Sequence, residues 1–432
     1  MTSIPAMADP SSAPRQVAHL LIGGGIASVT AAQTLRAEGA EGSVVIVSRE
    51  LDPPYHRPPC SKGYLQGTES REDTLLHPPD WYEQHDIELL TRTSAVGLDL
   101  DTRTVKLSTK QELAFDTLLI ATGAMVRRLT VEGAQLEGIH YLRALGNADA
   151  IRRDAELAEN VVLIGGSYIA CEVAATLTAL GHSCTMVMLE DITLERAFGP
   201  EAGRFFHHTL ESHGVTVIAA DSVARLQGAG DRITHVVTES GQELPADLVV
   251  AGVGATPDVI LARKSGLTIG ELGGVRVNAN LQADVGGVFA AGDMAEYDSV
   301  LHHRVMRIEH EDVAATQGRT AALNMLGRDR PHNAVPYFFS DLADWASLEY
   351  VGPATRWDEE IVRGSIDDGE FSHWYLLDGR VVAALAVGRS PDLDHARRLI
   401  TDGTPLAAER LLLADLDSDL GEIGRRLPGP TD

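Results

Sequence analysis

A run of small residues near the beginning of the chain has the composition of an anion-binding turn. Gly23, Gly24 and Gly25 are followed, after two residues, by Ser28. Gly23 allows a sharp turn, Gly25 lets the backbone approach a pyrophosphate, and Ser28 is small enough for close packing. Glu50 lies 22 residues beyond Ser28 and can accept hydrogen bonds from two ribose hydroxyls. These residue types at this spacing predict dinucleotide binding.

A strand, a helix and a second strand are needed to hold these residues. Leu20–Ile22 is apolar, Val29–Arg36 has helical periodicity, and Val44–Val47 is again apolar. The start of the helix offers N–H groups and the positive end of a dipole to an anion. The alternative interpretation is a βαβ unit of the same design that binds no ligand.

The same pattern occurs a second time. The apolar run Val161–Ile164 leads into a turn with Gly165, Ser167 and Ala170 at the three small-residue positions. Glu190 follows 20 residues after Ala170. The two copies are about 140 residues apart, which is too far for a solenoid repeat. We therefore predict two separate dinucleotide-binding folds.

Two other segments predict close backbone contact with a ligand. One apolar run ends in Ala121-Thr122-Gly123, and another ends in Gly292-Asp293. Small residues at a strand end let the backbone come close to a flat group. The Asp293 carboxylate is suited to accept a hydrogen bond from a sugar-like hydroxyl, although a simple Gly-Asp turn fits the pattern equally well.

A proline-rich loop follows Glu50 and contains a thiol between two cations. Cys60 lies between Arg57 and Lys62, and Pro59 is suited to the first turn of a helix. One interpretation is a solvated surface loop. The other is a loop close to the first nucleotide, because it follows the strand that leads to Glu50.

Composition excludes several classes of function. The 432 residues carry a net charge of −26, which argues against nucleic acid as a partner. No apolar run approaches the ~20 residues of a membrane span. Three cysteines without a C-x-x-C pair predict no disulfide framework and a cytoplasmic location. His302, His303 and His310 lack accompanying cysteine or carboxylate spacing, so we predict no metal site.

The predicted fold class is α/β, with two Rossmann-like dinucleotide-binding domains and a small C-terminal α+β domain. From Pro331 the pattern changes to antiparallel strands, with a hairpin turn at Asp378-Gly379. The predicted divisions are a disordered tail (1–16), a discontinuous FAD-binding domain (17–127 and 251–330), an NAD-binding domain (128–250) and the C-terminal domain (331–432).

These motifs, in this order, resemble the two-dinucleotide flavoprotein reductases of the glutathione-reductase type. The segments Pro54–Lys62, Arg307–His310 and Val335–Asp341 narrow the resemblance to bacterial ferredoxin, putidaredoxin and rubredoxin reductases and apoptosis-inducing factor. The similarity covers about residues 17–400. Cys60, Glu311 and Phe339 depart from the residues that are usual in this group.

The resemblance implies FAD and NADH as cofactors. Glu172 matches a family acid beside the nicotinamide that can pair with Lys62, and Asp293 would bind the ribityl chain. Lys62, Glu172 and Cys60 are the implied catalytic candidates. The implied cofactor-binding residues are Gly23, Gly25, Ser28 and Glu50 for the ADP half of FAD; Arg57, Lys62, Ala121, Thr122, Gly123, Arg127, Gly292, Asp293, Phe338 and Phe339 along the rest of FAD; and Gly165, Ser167, Ala170 and Glu190 for NADH. Gly254, Glu309 and His310 are further cofactor-binding candidates that are not assigned to either cofactor.

Three functions stay open at this point. The resemblance favours an NADH-dependent FAD oxidoreductase that passes electrons to a small iron–sulfur carrier such as ferredoxin or rubredoxin. A second hypothesis makes Cys60 a redox centre that reduces a disulfide, persulfide or peroxide. The third is a flavin-bearing interaction protein with little turnover. The expected partners are NADH and the carrier, and a homodimer is left open.

Overall fold

The computed structural model describes residues 13–425, which form two compact units. Unit 1 contains residues up to His56, Glu72–Met125 and Thr256–Ala334, and unit 2 contains Arg57–Arg71, Val126–Ala255 and the residues from Val335 onward. Among the described residues no helix is long and apolar enough to cross a membrane. The three-domain division from the sequence stays a prediction.

The secondary structure is mixed throughout the described part. The strands are β1 (Arg15–Ile22), β2 (Val44–Val47), β3 (Ile87–Leu90), β4 (Ala95–Asp99), β5 (Thr104–Leu107), β6 (Glu112–Ile120), β7 (Ala124–Val126), β8 (Ile139–His140), β9 (Asn160–Ile164), β10 (Ser183–Val187), β11 (Thr216–Ile218), β12 (Val223–Ala229), β13 (Arg232–Thr238), β14 (Glu243–Pro245), β15 (Leu248–Ala251), β16 (Ala255–Pro257), β17 (Val275–Val277), β18 (Val288–Ala290), β19 (Ala295–Ser299), β20 (Arg304–Met306), β21 (Tyr337–Leu342), β22 (Ala346–Val351), β23 (Glu359–Ser365), β24 (Glu370–Leu377) and β25 (Arg380–Val387). The α-helices are α1 (Ile26–Ala37), α2 (Gly63–Gln66), α3 (Pro79–Gln84), α4 (Leu145–Ala155), α5 (Tyr168–Ala179), α6 (Glu195–Ser212), α7 (Ile260–Lys264), α8 (Glu311–Met325) and α9 (Ser390–Asp402), and 3-10 helices span Pro58–Ser61, Glu72–Thr74 and Ala407–Leu413.

Unit 1 is built on a sheet of order β3-β2-β1-β6-β5-β4, in which β18 also pairs with β6. Strands β3, β2, β1, β6 and β18 run parallel to one another, whereas β5 pairs antiparallel with both β6 and β4. Every residue of β2 is buried, as expected for a parallel strand covered on both faces. A small sheet of order β17-β19-β20 belongs to the same unit.

Unit 2 contains a parallel sheet of order β11-β10-β9-β15-β8 and an antiparallel sheet of order β12-β13-β14. Helix α5 connects β9 to β10, which makes the second βαβ unit that the sequence predicted. Strand β10 ends at Val187, three residues before Glu190. The chain leaves the sheet there, and Leu189 is 67% exposed.

The C-terminal part of unit 2 is an antiparallel sheet of order β21-β22-β25-β24-β23. Asp378 and Gly379 join β24 to β25 with φ angles of 50° and 71°, the left-handed values expected for this hairpin turn. Helix α9 follows β25. With the two parallel sheets, this arrangement confirms the predicted fold class.

The ends of the chain test the predicted tail only in part. Residues 1–12 of that tail lie outside the described residues, whereas Arg15 and Gln16 belong to β1 and pair with Leu113 and Ala114 of β6. These two residues of the predicted tail are therefore part of a strand. Residues 426–432 also lie outside the described part.

Candidate functional site

The first glycine turn lies at the carboxyl end of β1 in unit 1. Gly23 has a φ of 127°, and a Cβ atom there would be 2.0 Å from the carbonyl oxygen of Ala121. A Cβ atom at Gly25 would meet no described atom within 4 Å. Gly25 is the N-cap of α1 and makes no side-chain cap hydrogen bond. The turn thus excludes a side chain at Gly23 and leaves the space beside Gly25 free of other protein atoms.

Glu50 follows β2 in the same unit, three residues after the end of the strand. Its carboxylate accepts a hydrogen bond of 2.5 Å from the hydroxyl of Tyr55, which is buried. The neighbouring Arg49 forms an ion pair of 2.8 Å with Asp258, from a segment 209 residues away. The sequence analysis gave no role to Asp258 or to Tyr55, although Tyr55 lies within the Pro54–Lys62 motif.

The Ala-Thr-Gly segment follows β6 in unit 1. The Thr122 hydroxyl donates a hydrogen bond of 2.6 Å to the Asp258 carbonyl, and the Asp258 amide donates one of 2.8 Å to the Gly123 carbonyl. Thr122 also contacts the sulfur of Met294 at 2.9 Å. Gly123 has a φ of 71°. These contacts fix the segment beside the loop that follows β16.

The third part of unit 1 surrounds Asp293 and the start of α8. Arg307 donates to the Asp293 carbonyl at 3.0 Å and pairs with Glu309 at 2.5 Å. Burial lowers the pKa of His310 to about 4, although the nearby Asp293 charge acts in the opposite direction. His310 is the N-cap residue of α8, and Glu311 next to it pairs with His56 at 2.5 Å.

Gly292 is held by a residue that the sequence did not indicate. Its amide donates a hydrogen bond of 2.8 Å to the side-chain oxygen of Gln317, which is fully buried in α8. Gly292 has a φ of 79° and lies against Ala27 of α1 and Ala314 of α8. Gln317 was not found because a single glutamine in a helix carries no motif.

The second glycine turn, in unit 2, repeats the backbone geometry of the first. Gly165 has a φ of 109°, and a Cβ atom there would lie 2.6 Å from the Gly252 carbonyl. Ser167 occupies the second glycine position and is the N-cap of α5. Its hydroxyl accepts a hydrogen bond from the Ala170 amide at 3.4 Å and donates one to Gly252 at 2.9 Å. Serine thus supplies a helix cap where the motif has glycine.

Glu190 follows β10 at the same end of the second fold. Its carboxylate lies 3.0 Å from the guanidinium of Arg196, whose side chain is 75% exposed. The Glu190 side chain itself is largely covered. A cation therefore lies beside the acid that was predicted to bind the ribose. At the neighbouring loop, the Arg127 amide donates to the Gly254 carbonyl at 2.9 Å.

A charged cluster in unit 2 centres on Lys62. Its ammonium nitrogen lies 3.0 Å from Glu172 and 2.9 Å from Asp341. The almost fully buried Glu172 carboxylate also accepts hydrogen bonds of 2.5 Å from the hydroxyls of Ser61 and Ser340. The predicted Lys62–Glu172 pair is therefore present, and the structure adds two hydroxyl donors and a second acid.

Aromatic residues of β21 lie beside this cluster. Lys62 is 4.8 Å above the ring of Phe339, which is 44% exposed. The Phe338 ring packs instead against Tyr168 of α5 at 5.0 Å and Phe198 of α6 at 6.3 Å. The two aromatic residues therefore differ, since the Phe339 ring is exposed to solvent and the Phe338 ring packs in an aromatic cluster.

The cysteines lie in unit 2 as thiols, not in disulfides. Cys60 lies in the 3-10 helix Pro58–Ser61 and is 3% exposed. Burial raises the pKa of Cys171, and it raises the pKa of Cys184 to about 11. Arg57, at the start of the 3-10 helix, donates to the Arg143 carbonyl at 2.8 Å.

Comparisons with known proteins assign the chain to a family. The description "pyridine nucleotide-disulphide oxidoreductase" matches residues 17–318, and "reductase C-terminal" matches residues 337–423. The chain belongs to the pyridine nucleotide-disulphide oxidoreductase family. Within this family it is 35% identical to putidaredoxin reductase of Pseudomonas putida, over 94% of this chain and 96% of that protein. It is 33% identical to rhodocoxin reductase of Rhodococcus erythropolis, over 93% of each chain.

Solved structures of reductases are similar to this chain along nearly its whole length. The reductase in the covalent putidaredoxin reductase–putidaredoxin complex superimposes with a TM-score of 0.89 at 35% identity, covering 94% of this chain and 97% of that one. A ferredoxin reductase of Rhodopseudomonas palustris gives a TM-score of 0.89 at 31% identity, covering 93% and 98%. The predicted ferredoxin-reductase family is therefore confirmed.

This oxidoreductase uses FAD and NADH, as the sequence predicted. Its two glycine turns fit such ligands, because each leaves backbone N–H groups at a helix start without a bulky side chain. The candidate cofactor-binding residues divide between the units. Unit 1 contains Gly23, Gly25, Ser28, Glu50, Ala121, Thr122, Gly123, Gly292, Asp293, Glu309 and His310. Unit 2 contains Arg57, Lys62, Arg127, Gly254, Phe338 and Phe339, together with the NADH residues Gly165, Ser167, Ala170 and Glu190. Their individual roles stay predictions.

Proposed function

We propose that this protein is an NADH-dependent FAD reductase that passes electrons to a small iron–sulfur protein. The observation that carries the proposal is the nearly end-to-end similarity to reductases named for such carriers, including the C-terminal domain. When bound, FAD can accept a hydride from NADH and release the electrons one at a time.

In unit 1 the chain's task is to hold FAD. The backbone at Gly23–Gly25 and the start of α1 would bind the pyrophosphate, because they present N–H groups and a positive dipole end. Glu50 would bind the adenosine ribose, with Tyr55 fixing the direction of its carboxylate. Asp293 would bind the ribityl chain, and the Gln317 contact would hold the backbone before it.

In unit 2 the second turn would hold NADH in the same manner. Gly165 and the N-terminus of α5 would bind its pyrophosphate, and Glu190 would accept the adenosine ribose diol. Arg196 pairs with Glu190 and lowers the repulsion that a 2′-phosphate would meet. The preference for NADH over NADPH should therefore be finite.

Lys62 and Glu172 are the residues to which we assign the control of charge beside the reacting rings. Two carboxylates hold one ammonium group in place, and two serine hydroxyls fix the orientation of Glu172. Such a preorganised charge costs little reorganisation when charge develops during hydride transfer. No general base is required in this scheme.

The cysteine hypothesis receives less support. A reactive thiol is usually partly exposed and lies in an electropositive setting, whereas Cys60 is 3% exposed. We therefore assign Cys60 to packing. We also infer a cytoplasmic location, because three cysteines without a C-x-x-C pair are not the pattern of a secreted, disulfide-stabilised protein.

The decisive experiment is anaerobic reduction of the FAD-loaded protein with NADH, followed by rapid mixing with separate oxidants. Ferredoxins and rubredoxins should reoxidise the flavin faster than quinones or disulfides do at equal concentration. Preferential reoxidation by a disulfide or persulfide would replace the proposal with thiol chemistry. Slow reoxidation by every oxidant would favour the flavin-bearing interaction protein.

A further inference from the structure

A second cluster of possible ligands lies in unit 2, away from the glycine turns. It contains Glu201 of α6, Glu360 of β23 and His373 of β24. One potential ligand atom from each residue lies within 4.8 Å of those from the other two. These residues come from three elements, and no part of the proposed electron-transfer function uses them.

His373 gives this cluster an unusual property. The residue is 0% exposed, yet neither ring nitrogen makes a hydrogen bond. Its Nε2 atom lies 2.8 Å from a carboxylate oxygen of Glu360, within ion-pair distance. A buried polar atom without a hydrogen bond destabilises the folded state. A cation among these atoms would remove that destabilisation.

The surroundings hold the three side chains in place. Glu360 accepts a hydrogen bond of 2.7 Å from the indole of Trp357, and the His373 ring stacks on Tyr375 at 4.8 Å with an angle of 8°. The Tyr375 hydroxyl donates to the Phe198 carbonyl at 2.7 Å. At known metal centres, hydrogen bonds and packing contacts from other protein groups orient the side chains that bind the metal.

The position of Glu201 depends on a kink in α6. Gly199 has a φ of 79° and interrupts the helix just before Pro200. A Cβ atom at Gly199 would lie 3.1 Å from a Glu360 oxygen and 3.3 Å from Trp357. The kink therefore lets the helix backbone approach the β23–β24 hairpin and brings Glu201, the second residue after the glycine, to the cluster.

From this geometry we propose a zinc-class divalent cation site formed by Glu201, Glu360 and His373. An imidazole nitrogen and two carboxylates are ligands that Zn²⁺ accepts, and an exposed Glu201 leaves a fourth position for water. The ion would join α6 to the C-terminal sheet.

The test is calorimetric titration of the FAD-loaded, chelator-treated full chain with zinc chloride. We expect one Zn²⁺ per chain and a rise in the thermal midpoint on its addition. Glu201→Gln and Glu360→Gln should each weaken the binding at least tenfold. Glu211→Gln provides the matched control, because Glu211 is an exposed acid of the same helix outside the cluster. It should bind Zn²⁺ as the wild type does.

Cobalt chloride gives an independent readout, since Co²⁺ bound to a histidine and carboxylates absorbs visible light. The absorption should be absent in Glu201→Gln. Because Glu201 is exposed, its replacement should not disturb the fold, so misfolding would not explain the loss of the Co²⁺ absorption. Unchanged flavin content and NADH reduction rate in each variant would confirm an intact fold. Zinc binding that is absent in the wild type, or equally strong in Glu201→Gln and the control, would overturn the proposal.

Discussion

Replacing Lys62 by methionine should expose the cost of holding two acids in the unit 2 cluster. The substitution keeps much of the apolar stem but removes the ammonium group that lies 3.0 Å from Glu172 and 2.9 Å from Asp341. The Glu172 side chain is 7% exposed and that of Lys62 is 15% exposed, so water cannot take over the lost contact with Glu172. The variant therefore leaves a nearly buried carboxylate without its cation.

The magnitude follows from distance and burial. At an effective dielectric constant near 20, opposite charges about 3 Å apart attract by roughly 5 kcal/mol, before desolvation is subtracted. Removing one partner of a buried pair usually costs about 3–5 kcal/mol. The hydrogen bonds from Ser61 and Ser340 stay in Lys62→Met, and the Asp341 side chain is 30% exposed. We therefore expect the lower end, about 3 kcal/mol.

The assay combines urea unfolding with rapid-mixing reduction by NADH, because stability and charge control should change together. Lys62→Met should unfold at lower urea and reduce its flavin more slowly. The double variant Lys62→Met/Glu172→Gln should recover part of the stability, since it no longer buries an unpaired charge. Lys110→Met, a surface lysine in unit 1, is the control. A loss below about 0.5 kcal/mol together with a wild-type reduction rate would refute this reasoning.

Three further predictions concern other residues. The preference for NADH over NADPH should be on the order of tenfold to several hundredfold, because Glu190 repels a 2′-phosphate with an energy of roughly 1–4 kcal/mol. Glu190→Gln should reduce the ratio of kcat/KM for NADH to kcat/KM for NADPH, and Arg196→Gln should raise it. Equal ratios in the wild type and both variants would contradict the assignment. Cys60→Ala should retain NADH reduction and carrier turnover within about threefold if the thiol only packs, whereas loss of activity together with a thiolate–flavin absorption band in the wild type would show a redox role. Burial lowers the pKa of His332 to about 4, below its unfolded value, so the unfolded chain binds an additional proton between about pH 6.5 and pH 4 and stability falls as the pH decreases through that window. His332→Asn should flatten this dependence by up to about 1.4 kcal/mol per pH unit, measured by urea unfolding at several pH values, and an unchanged slope would show that His332 is not the responsible group.

The glycine turns could be predicted from the sequence because each is a local requirement. A side chain at Gly23 would collide with the Ala121 carbonyl, and one at Gly165 would collide with the Gly252 carbonyl. The motif contains the glycine but not the strand that makes the glycine necessary. That strand is a separate segment, 98 residues later in the first fold and 87 later in the second, so its identity depends on the sheet order.

The charged cluster could be predicted only in part, for a similar reason. The family resemblance predicts the Lys62–Glu172 pair. It includes Ser340 and Asp341 in the Val335–Asp341 motif but assigns them no role. They reach the cluster because β21 packs next to α5 in unit 2. Ser61 contributes twice, since its hydroxyl donates to Glu172 and its carbonyl accepts a hydrogen bond of 2.8 Å from Thr176, one turn further along α5. Contacts over 111 to 168 residues carry no signal in one sequence.

Side chains from the Lys62 loop, α5 and β21 meet at the Glu172 carboxylate, so the positions of these three segments depend on one another. Glu172 has one carboxylate, and three donors from two other segments share its two oxygens. Moving β21 would remove the Ser340 hydroxyl and the Asp341 charge together, which would leave Lys62 paired with Glu172 alone. The position of the Lys62 ammonium thus depends on the C-terminal sheet as well as on its own loop. A carboxylate that is buried and fully hydrogen-bonded tolerates little displacement, because each lost charged hydrogen bond costs about 1.5–3 kcal/mol. The C-terminal domain therefore belongs to the machinery that fixes this charge, even though both dinucleotide motifs lie outside it.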